Sequence, residues 1–146
     1  MPLIVVGADT PAGEAILKRL DPSKREIRVF VTDESKAPGL RQRGFKVATG
    51  DVSDESHVEA ASTRCFSAVL IADAAGDDRE RSFAGSPVDV LRGWARAVSN
   101  SQVKRVIWVS SESPPETRVE ESAVVDPADP GLADLVIALD DARVID

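Results

Sequence analysis

Leu3-Ile4-Val5-Val6-Gly7-Ala8-Asp9-Thr10-Pro11-Ala12-Gly13 is the stretch that decides the fold. Leu3 to Val6 is an apolar run too short for a helix and rich in β-branched side chains, which reads as a buried strand. Gly7 permits a tight turn that a Cβ would obstruct. Thr10 is a good N-cap, Pro11 suits the first helical position, and Gly13 lets the new helix lie close to the strand. Strand, glycine turn and helix start together open a βαβ unit of the dinucleotide-binding kind. The pattern is imperfect, because the middle glycine of G-x-x-G-x-x-G is Thr10.

Working outward, the same alternation repeats. Ala12, Ala15, Ile16 and Leu20 recur at helical spacing, and Asp21-Pro22-Ser23 breaks that helix. Ile27 to Val31 reads as a second strand ending at Thr32-Asp33, and Ser35 to Arg43 as a short helix that Gly44 stops. Phe45 to Ala48 is a third strand, closed by Gly50-Asp51. Ser53 or Asp54 then caps a helix running to about Ser62. Ala68 to Ala72 is a fourth strand, apolar throughout as a strand covered on both faces is.

Asp73 to Gly85 reads as a loop leaving that strand, with a lid and a plain surface loop as the open alternatives. Ser86-Pro87 starts the clearest helix, with Val88, Leu91, Trp94, Ala95 and Val98 on one face. Val103 to Val109 is a fifth strand, with Ser110-Ser111 at its end. Beyond Pro114-Pro115, Ala123 to Val125 suits a short strand. Asp129-Pro130 suits the start of a helix carrying Leu132, Leu135, Val136 and Leu139, although Leu135 to Leu139 also fits a buried strand. The expected architecture is α/β: a doubly wound, Rossmann-like parallel sheet of about five strands in the order 3-2-1-4-5, with helices on both faces and a crevice between strands one and four. Residues 1–113 make the nucleotide-binding domain, and 114–146 an acidic segment packed on it.

The composition is that of an ordinary globular chain, 42% hydrophobic and 29% charged over 146 residues. The net charge of −7 is unevenly spread. Residues 1–111 hold 15 acids and 16 bases, whereas residues 112–146 hold 10 acids against Arg118 and Arg143. A solvated acidic face and a contact surface for a basic partner both fit that tail. The net charge argues against nucleic acid as a partner, and no apolar run is long enough for a membrane helix. Without a leader pattern and with Cys65 alone, a reducing cytoplasm is the expected location. His57 and Cys65 do not make a metal set, so no metal is expected.

From Leu3 to about Ser113 the chain resembles the atypical short-chain dehydrogenase/reductase group, in particular its NmrA-like, NAD(P)H-binding members. The residues carrying the likeness are Gly7 to Gly13, Val29-Phe30-Val31-Thr32-Asp33, Gly50-Asp51-Val52-Ser53-Asp54 and Val103 to Ser111. The resemblance implies a dinucleotide, NAD or NADP. Its pyrophosphate would lie at Gly7, Thr10, Pro11 and Gly13, its adenosine ribose at Asp33, its adenine at Asp51, and its far end near Ala72 and Ser110. Asp33 equally suits a helix cap, and Asp51 a turn. NADP-preferring relatives carry an arginine where this chain has Thr32, and Asp33 would repel a 2′-phosphate, so NAD is favoured.

The departures from the family shape the functional expectation. Short-chain dehydrogenases move a proton with a tyrosine aided by a lysine four residues on, and this chain contains no tyrosine. Neither Ser110 nor Ser111 has an evident activating base, so no catalytic residue is assigned and the balance is against an enzyme. Relatives also continue into a substrate-binding portion, whereas about 33 residues follow Ser113 here. A cofactor sensor, regulator or accessory protein is the leading expectation. A non-binding interaction module is one alternative, and an atypical NAD-dependent epimerase or reductase is another. A protein partner or a homodimer is left open.

Overall fold

The computed structural model describes residues 2–76 and 85–145. Leu3–Val6 forms β1, with all four side chains buried. The glycine turn leads into α1, Pro11–Leu17. Next come β2 (Ile27–Val31), a 3₁₀ turn over Glu34–Lys36 and α2 (Ala37–Gln42). The chain continues through β3 (Lys46–Thr49), α3 (Glu55–Ala61) and β4 (Ser67–Ile71), which is buried at every position. A second 3₁₀ turn covers Ala72–Gly76. The expected loop from Asp73 to Gly85 is therefore helical at its start, and residues 77–84 lie outside the described residues. Then follow α4 (Pro87–Asn100), β5 (Arg105–Val109), β6 (Glu121–Val125) and α5 (Leu132–Asp141).

Among the described residues the strands make one parallel sheet in the order β3-β2-β1-β4-β5-β6. The sheet is the expected one, extended by a strand. The acidic segment supplies that strand and α5, so it is built into the sheet. Two apolar layers flank the sheet. One contains Val5, Ile16, Leu17, Val29, Ile107 and Val136, under α1 and α5. The other contains Ile4, Phe30, Leu70, Trp94, Val98 and Trp108, under α3 and α4. Both tryptophans are core residues and find acceptors, since a buried indole N–H without one is costly. Trp94 Nε1 donates to Val52 O at 2.7 Å and Trp108 Nε1 to Thr117 Oγ1 at 2.9 Å.

The ambiguous run near the C-terminus is a helix. Leu132, Val136 and Asp140 are buried at four-residue spacing, while Leu135 is 42% exposed. No side chain caps α5 at its start. Asp129, expected to cap it, instead accepts from the Gly131 amide at 2.8 Å in a local turn. At its far end, Arg105 does the capping. This guanidinium is 1% exposed at the start of β5 and donates to the carbonyls of Leu139 (2.8 Å), Asp140 (2.8 Å), Ala142 (2.6 Å) and Arg143 (3.3 Å). It also pairs with Glu121 at 2.8 Å and lies 5.3 Å from the Phe66 ring centroid. A cation on the last carbonyls of a helix satisfies groups that have no partner within the helix.

Further pairs tie the tail to the body: Arg19–Asp134 (2.7 Å), Lys104–Glu120 (3.0 Å) and Arg25–Asp140. Glu120, Glu121, Asp134 and Asp140 thus pair with cations of the same chain, Glu120 and Asp134 while largely exposed to solvent.

Candidate functional site

Parallel strands put all their C-terminal ends on one edge of the sheet, and the order reverses between β1 and β4, where open α/β sheets bind ligands. Every candidate residue lies along that edge. Gly7 follows β1 with φ +88°, a conformation that L side chains rarely adopt. A Cβ there would stand 2.8 Å from Ala74 Cβ, because the 3₁₀ turn after β4 packs onto the glycine turn. A Cβ on Gly13 would stand 2.6 Å from the carbonyl oxygens of both Gly7 and Ala8. Gly13 thus lets α1 begin directly over the end of β1.

Thr10 is the N-cap of α1. Its Oγ1 accepts from Gly13 N at 3.1 Å and donates to Gly7 O at 2.7 Å. The sequence leaves open a hydroxyl donating to a bound phosphate; here that proton is directed into the turn. Pro11 is exposed at the first helical position, where a missing N–H costs nothing.

At the end of β2, Asp33 caps the 3₁₀ turn, accepting from Ser35 N at 3.0 Å and Ser35 Oγ at 2.6 Å. At the end of β3, Asp51 makes the same arrangement with Ser53, at 2.8 and 2.6 Å. The turn roles foreseen for both residues are present, and they fix the direction of each carboxylate. The motif is general in this chain. Among the described residues Asp21, Asp33, Asp51, Asp54, Asp126 and Asp129 each accept from the amide two positions on. In Asp21 and Asp54 the bond from the serine hydroxyl or amide lowers the carboxyl pKa below its ordinary value, with the serine hydroxyl contributing most.

Ala72 begins the 3₁₀ turn after β4 and Ser110 follows β5. The structure brings these two together in one cavity of about 370 Å³, whose wall also includes Val88, Leu91, Arg92 and Pro114. Val88, expected on the inner face of α4, is 52% exposed on this wall instead. Ser110 is 8% exposed and its hydroxyl is engaged with the Glu112 backbone, donating to O at 2.8 Å and accepting from N at 3.2 Å. It is a turn-forming serine in this setting.

Two residues without a role in the sequence reading, Asp9 and Lys36, also face this edge, as does the solvated His57. Asp9 sits in the glycine turn, and its Oδ2 accepts from Thr32 N at 3.0 Å and Asp33 N at 2.9 Å. Lys36 Nζ donates to Asp9 O at 3.2 Å. His57 is 60% exposed, with Nε2 3.6 Å from Asp54 Oδ2. Its Nδ1 lies 3.0 Å from where a Gly50 Cβ would stand, which puts the ring beside the end of β3. The one available signal for Asp9 was its i+2 neighbour. Pro11 has no N–H, so Asp9 cannot close the local turn that the other aspartates make.

A doubly wound parallel sheet with a glycine strand-to-helix turn at its switch point defines a nucleotide-binding α/β protein. The chain belongs to the NAD(P)H-binding family, whose model matches residues 7–127. No curated protein matches it. Among solved structures, it is similar to an NADPH-dependent quinone oxidoreductase from Escherichia coli solved with NADPH. That likeness has 22% identity and a TM-score of 0.58, covering 74% of this chain and 36% of that one. An anaerobillin reductase from Escherichia coli O157:H7 is 24% identical with a TM-score of 0.58, over 76% and 51% of the two chains. A nucleoside-diphosphate-sugar epimerase from Pseudomonas aeruginosa is 12% identical with a TM-score of 0.58, over 75% and 33%. At these identities the likeness is one of fold. The chain spans between a third and about half of the length of these structures.

The site is compatible with the family's dinucleotide in its backbone geometry. Gly7 and Gly13 let the turn close and α1 start directly over β1, and two acids end β2 and β3. Among the described residues no helix is long and apolar enough to cross a membrane.

Proposed function

We propose that this protein binds a dinucleotide along the C-terminal edge of its sheet and acts as a cofactor sensor, regulator or accessory protein. The observation that carries the reading is the glycine turn. Gly7 and Gly13 are held by contacts that leave no room for a Cβ, in a chain that belongs to an NAD(P)H-binding family. In this reading Gly7, Thr10, Pro11 and Gly13 lie against the pyrophosphate, Asp33 accepts from the ribose hydroxyls and Asp51 lies by the adenine. Ala72 and Ser110 border the nicotinamide end. NAD is the favoured form, because the carboxylate of Asp33 accepts from a ribose diol and repels a 2′-phosphate.

A bound nicotinamide would supply hydride chemistry. The chain's own contribution is binding and orientation. It has no tyrosine to exchange a proton, and the Ser110 hydroxyl is committed to the Glu112 backbone. The cavity beside Ala72 and Ser110 favours an epimerase- or reductase-like activity instead, since a small molecule there would lie next to the cofactor's reactive end.

Calorimetric titration with NAD, NADH, NADP and NADPH tests the proposal. Saturable binding supports it, and no heat or thermal shift at millimolar ligand sinks it in favour of a non-binding module. Thr10→Glu, which places charge at the pyrophosphate, should abolish binding. Thr10→Ser keeps the cap and should leave binding within about threefold, since a serine caps a helix about as well as a threonine. An unchanged dissociation constant in Thr10→Glu would remove the turn from the site. Turnover of a hydride donor by the purified protein would favour the enzyme reading.

A further inference from the structure

The end of β2 is where this fold reads the adenosine ribose, and here two successive amides there are already occupied. Thr32 N and Asp33 N both donate to one oxygen of Asp9, at 3.0 and 2.9 Å. Consecutive backbone N–H groups aimed at one point make an anion-binding concavity. In this chain the anion it holds is internal. We propose that Asp9 sets the choice of dinucleotide: its carboxylate fills the amide pair that a 2′-phosphate would otherwise use and excludes phosphorylated forms of the cofactor. This rests on the dinucleotide-binding reading above and deepens it.

Three observations converge on Asp9. The first is local geometry. Asp21, Asp33, Asp51, Asp54, Asp126 and Asp129 all fold back onto the amide at i+2. Asp9 has a proline there and reaches to residues 23 and 24 positions away instead. The latch thus follows from the sequence Asp9-Thr10-Pro11.

The second is charge. A 2′-phosphate carries about −1.5 to −2 at neutral pH, by analogy with other phosphomonoesters. It would approach Asp9 from the glycine turn, with Asp33 and Glu34 from the segment after β2. Lys36 is the cation in contact with the turn, and its ammonium donates to Asp9 O at 3.2 Å. Three carboxylates hold or flank the position, and one exposed ammonium offsets them.

The third is the side chain at the strand end. Thr32 is 7% exposed, and its Oγ1 has no hydrogen-bond partner. A neutral side chain thus stands at the strand end in place of a cation. An unphosphorylated ribose needs no displacement of Asp9, whereas a phosphate would have to break both amide bonds and then face the freed carboxylate.

The test compares dissociation constants for NAD and NADP in the wild type, Asp9→Asn and Asp9→Ser, with melting temperatures to establish folding. Wild-type protein should prefer NAD by at least about tenfold, since opposed like charges are strongly disfavoured. Asp9→Asn keeps an acceptor for the amides and removes the charge, so NADP should gain about tenfold while NAD changes little. Asp9→Ser, too short to bridge, should also speed amide hydrogen exchange at Thr32 and Asp33, a readout that needs no ligand. Equal wild-type affinities, or a NAD-to-NADP ratio unchanged in Asp9→Asn, would overturn the inference and leave dinucleotide binding standing. Binding of neither nucleotide would overturn both. Slow exchange at both amides in Asp9→Ser would overturn the latch itself.

Discussion

Removing Arg105 should destabilise the protein more than any loss of a surface charge. Its guanidinium is 1% exposed and donates to Glu121 and to four carbonyls at and beyond the end of α5. Arg105→Ala leaves those carbonyls without their donor and opens a void against Phe66. Breaking a buried, hydrogen-bonded ion pair from one side costs about 3–5 kcal/mol. Against a typical total of about 5–15 kcal/mol, that is about a fifth or more of the stability of an average domain. Urea unfolding followed by far-UV circular dichroism gives the number. Hydrogen exchange should place the loss in β6 and α5 first.

A double variant sharpens the argument. Arg105→Met with Glu121→Leu removes both charges and should recover part of the loss, because the charge stranded by either single change is gone. The pH dependence has a definite sign. The Arg105 bond, followed by the bond from the Ile145 amide, lowers the Glu121 pKa below its ordinary value. A depressed folded pKa contributes stability that is present above the unfolded carboxyl pKa of about 4.3 and lost as pH falls through the folded value. That acid-side decline should be shallower in Arg105→Met. A cost under about 1 kcal/mol for Arg105→Ala, in the range of an exposed pair, would refute the reasoning.

Other consequences can be read with the same assays. Gly7→Ala should cost about 1–3 kcal/mol from its positive φ alone, with the contact to Ala74 added, and the melting temperature should fall accordingly. Gly13→Ala meets two backbone oxygens that cannot turn aside, so it should fold worse than Gly7→Ala. Trp94→Phe leaves Val52 O without its donor and should cost about 1–3 kcal/mol in urea unfolding. Cys65 is buried, and burial raises its thiol pKa, so alkylation by iodoacetamide at pH 8 should follow unfolding and be blocked in the native protein.

Much of the fold was legible because it is written in local, periodic signals. The short β-branched runs from Leu3, Ile27 and Ala68 and the Ser86-Pro87 start all fall within a few residues of their elements. The C-terminal helix was harder, because Leu135 to Leu139 satisfies both periods. The stripe Leu132, Val136 and Asp140 decides it only once α1 and Arg25 are known to lie beneath.

The same distinction runs through the site. Gly7, Gly13 and the caps at Thr10 and Asp33 are local and were readable. The Arg105 bonds reach 34 to 38 residues downstream, and the Asp9 bonds 23 and 24, so a charged residue in a strand or turn gives no sign of them. Ser110 was legible in position but not in role, since its partner is the backbone two residues on.

The Arg105 anchor also governs how the last part of the chain behaves as a mechanical unit. β6 is an edge strand, held in the sheet on one side by β5, and α5 rests on α1. Peeling either element away would uncover a buried guanidinium and strand its acceptors. Detachment is therefore a single costly event with little room for gradual fraying. An acidic segment fastened in this way is a poor flexible arm for capturing a distant basic partner. It is a rigid wall of the molecule, and anything that recognises it meets a fixed surface.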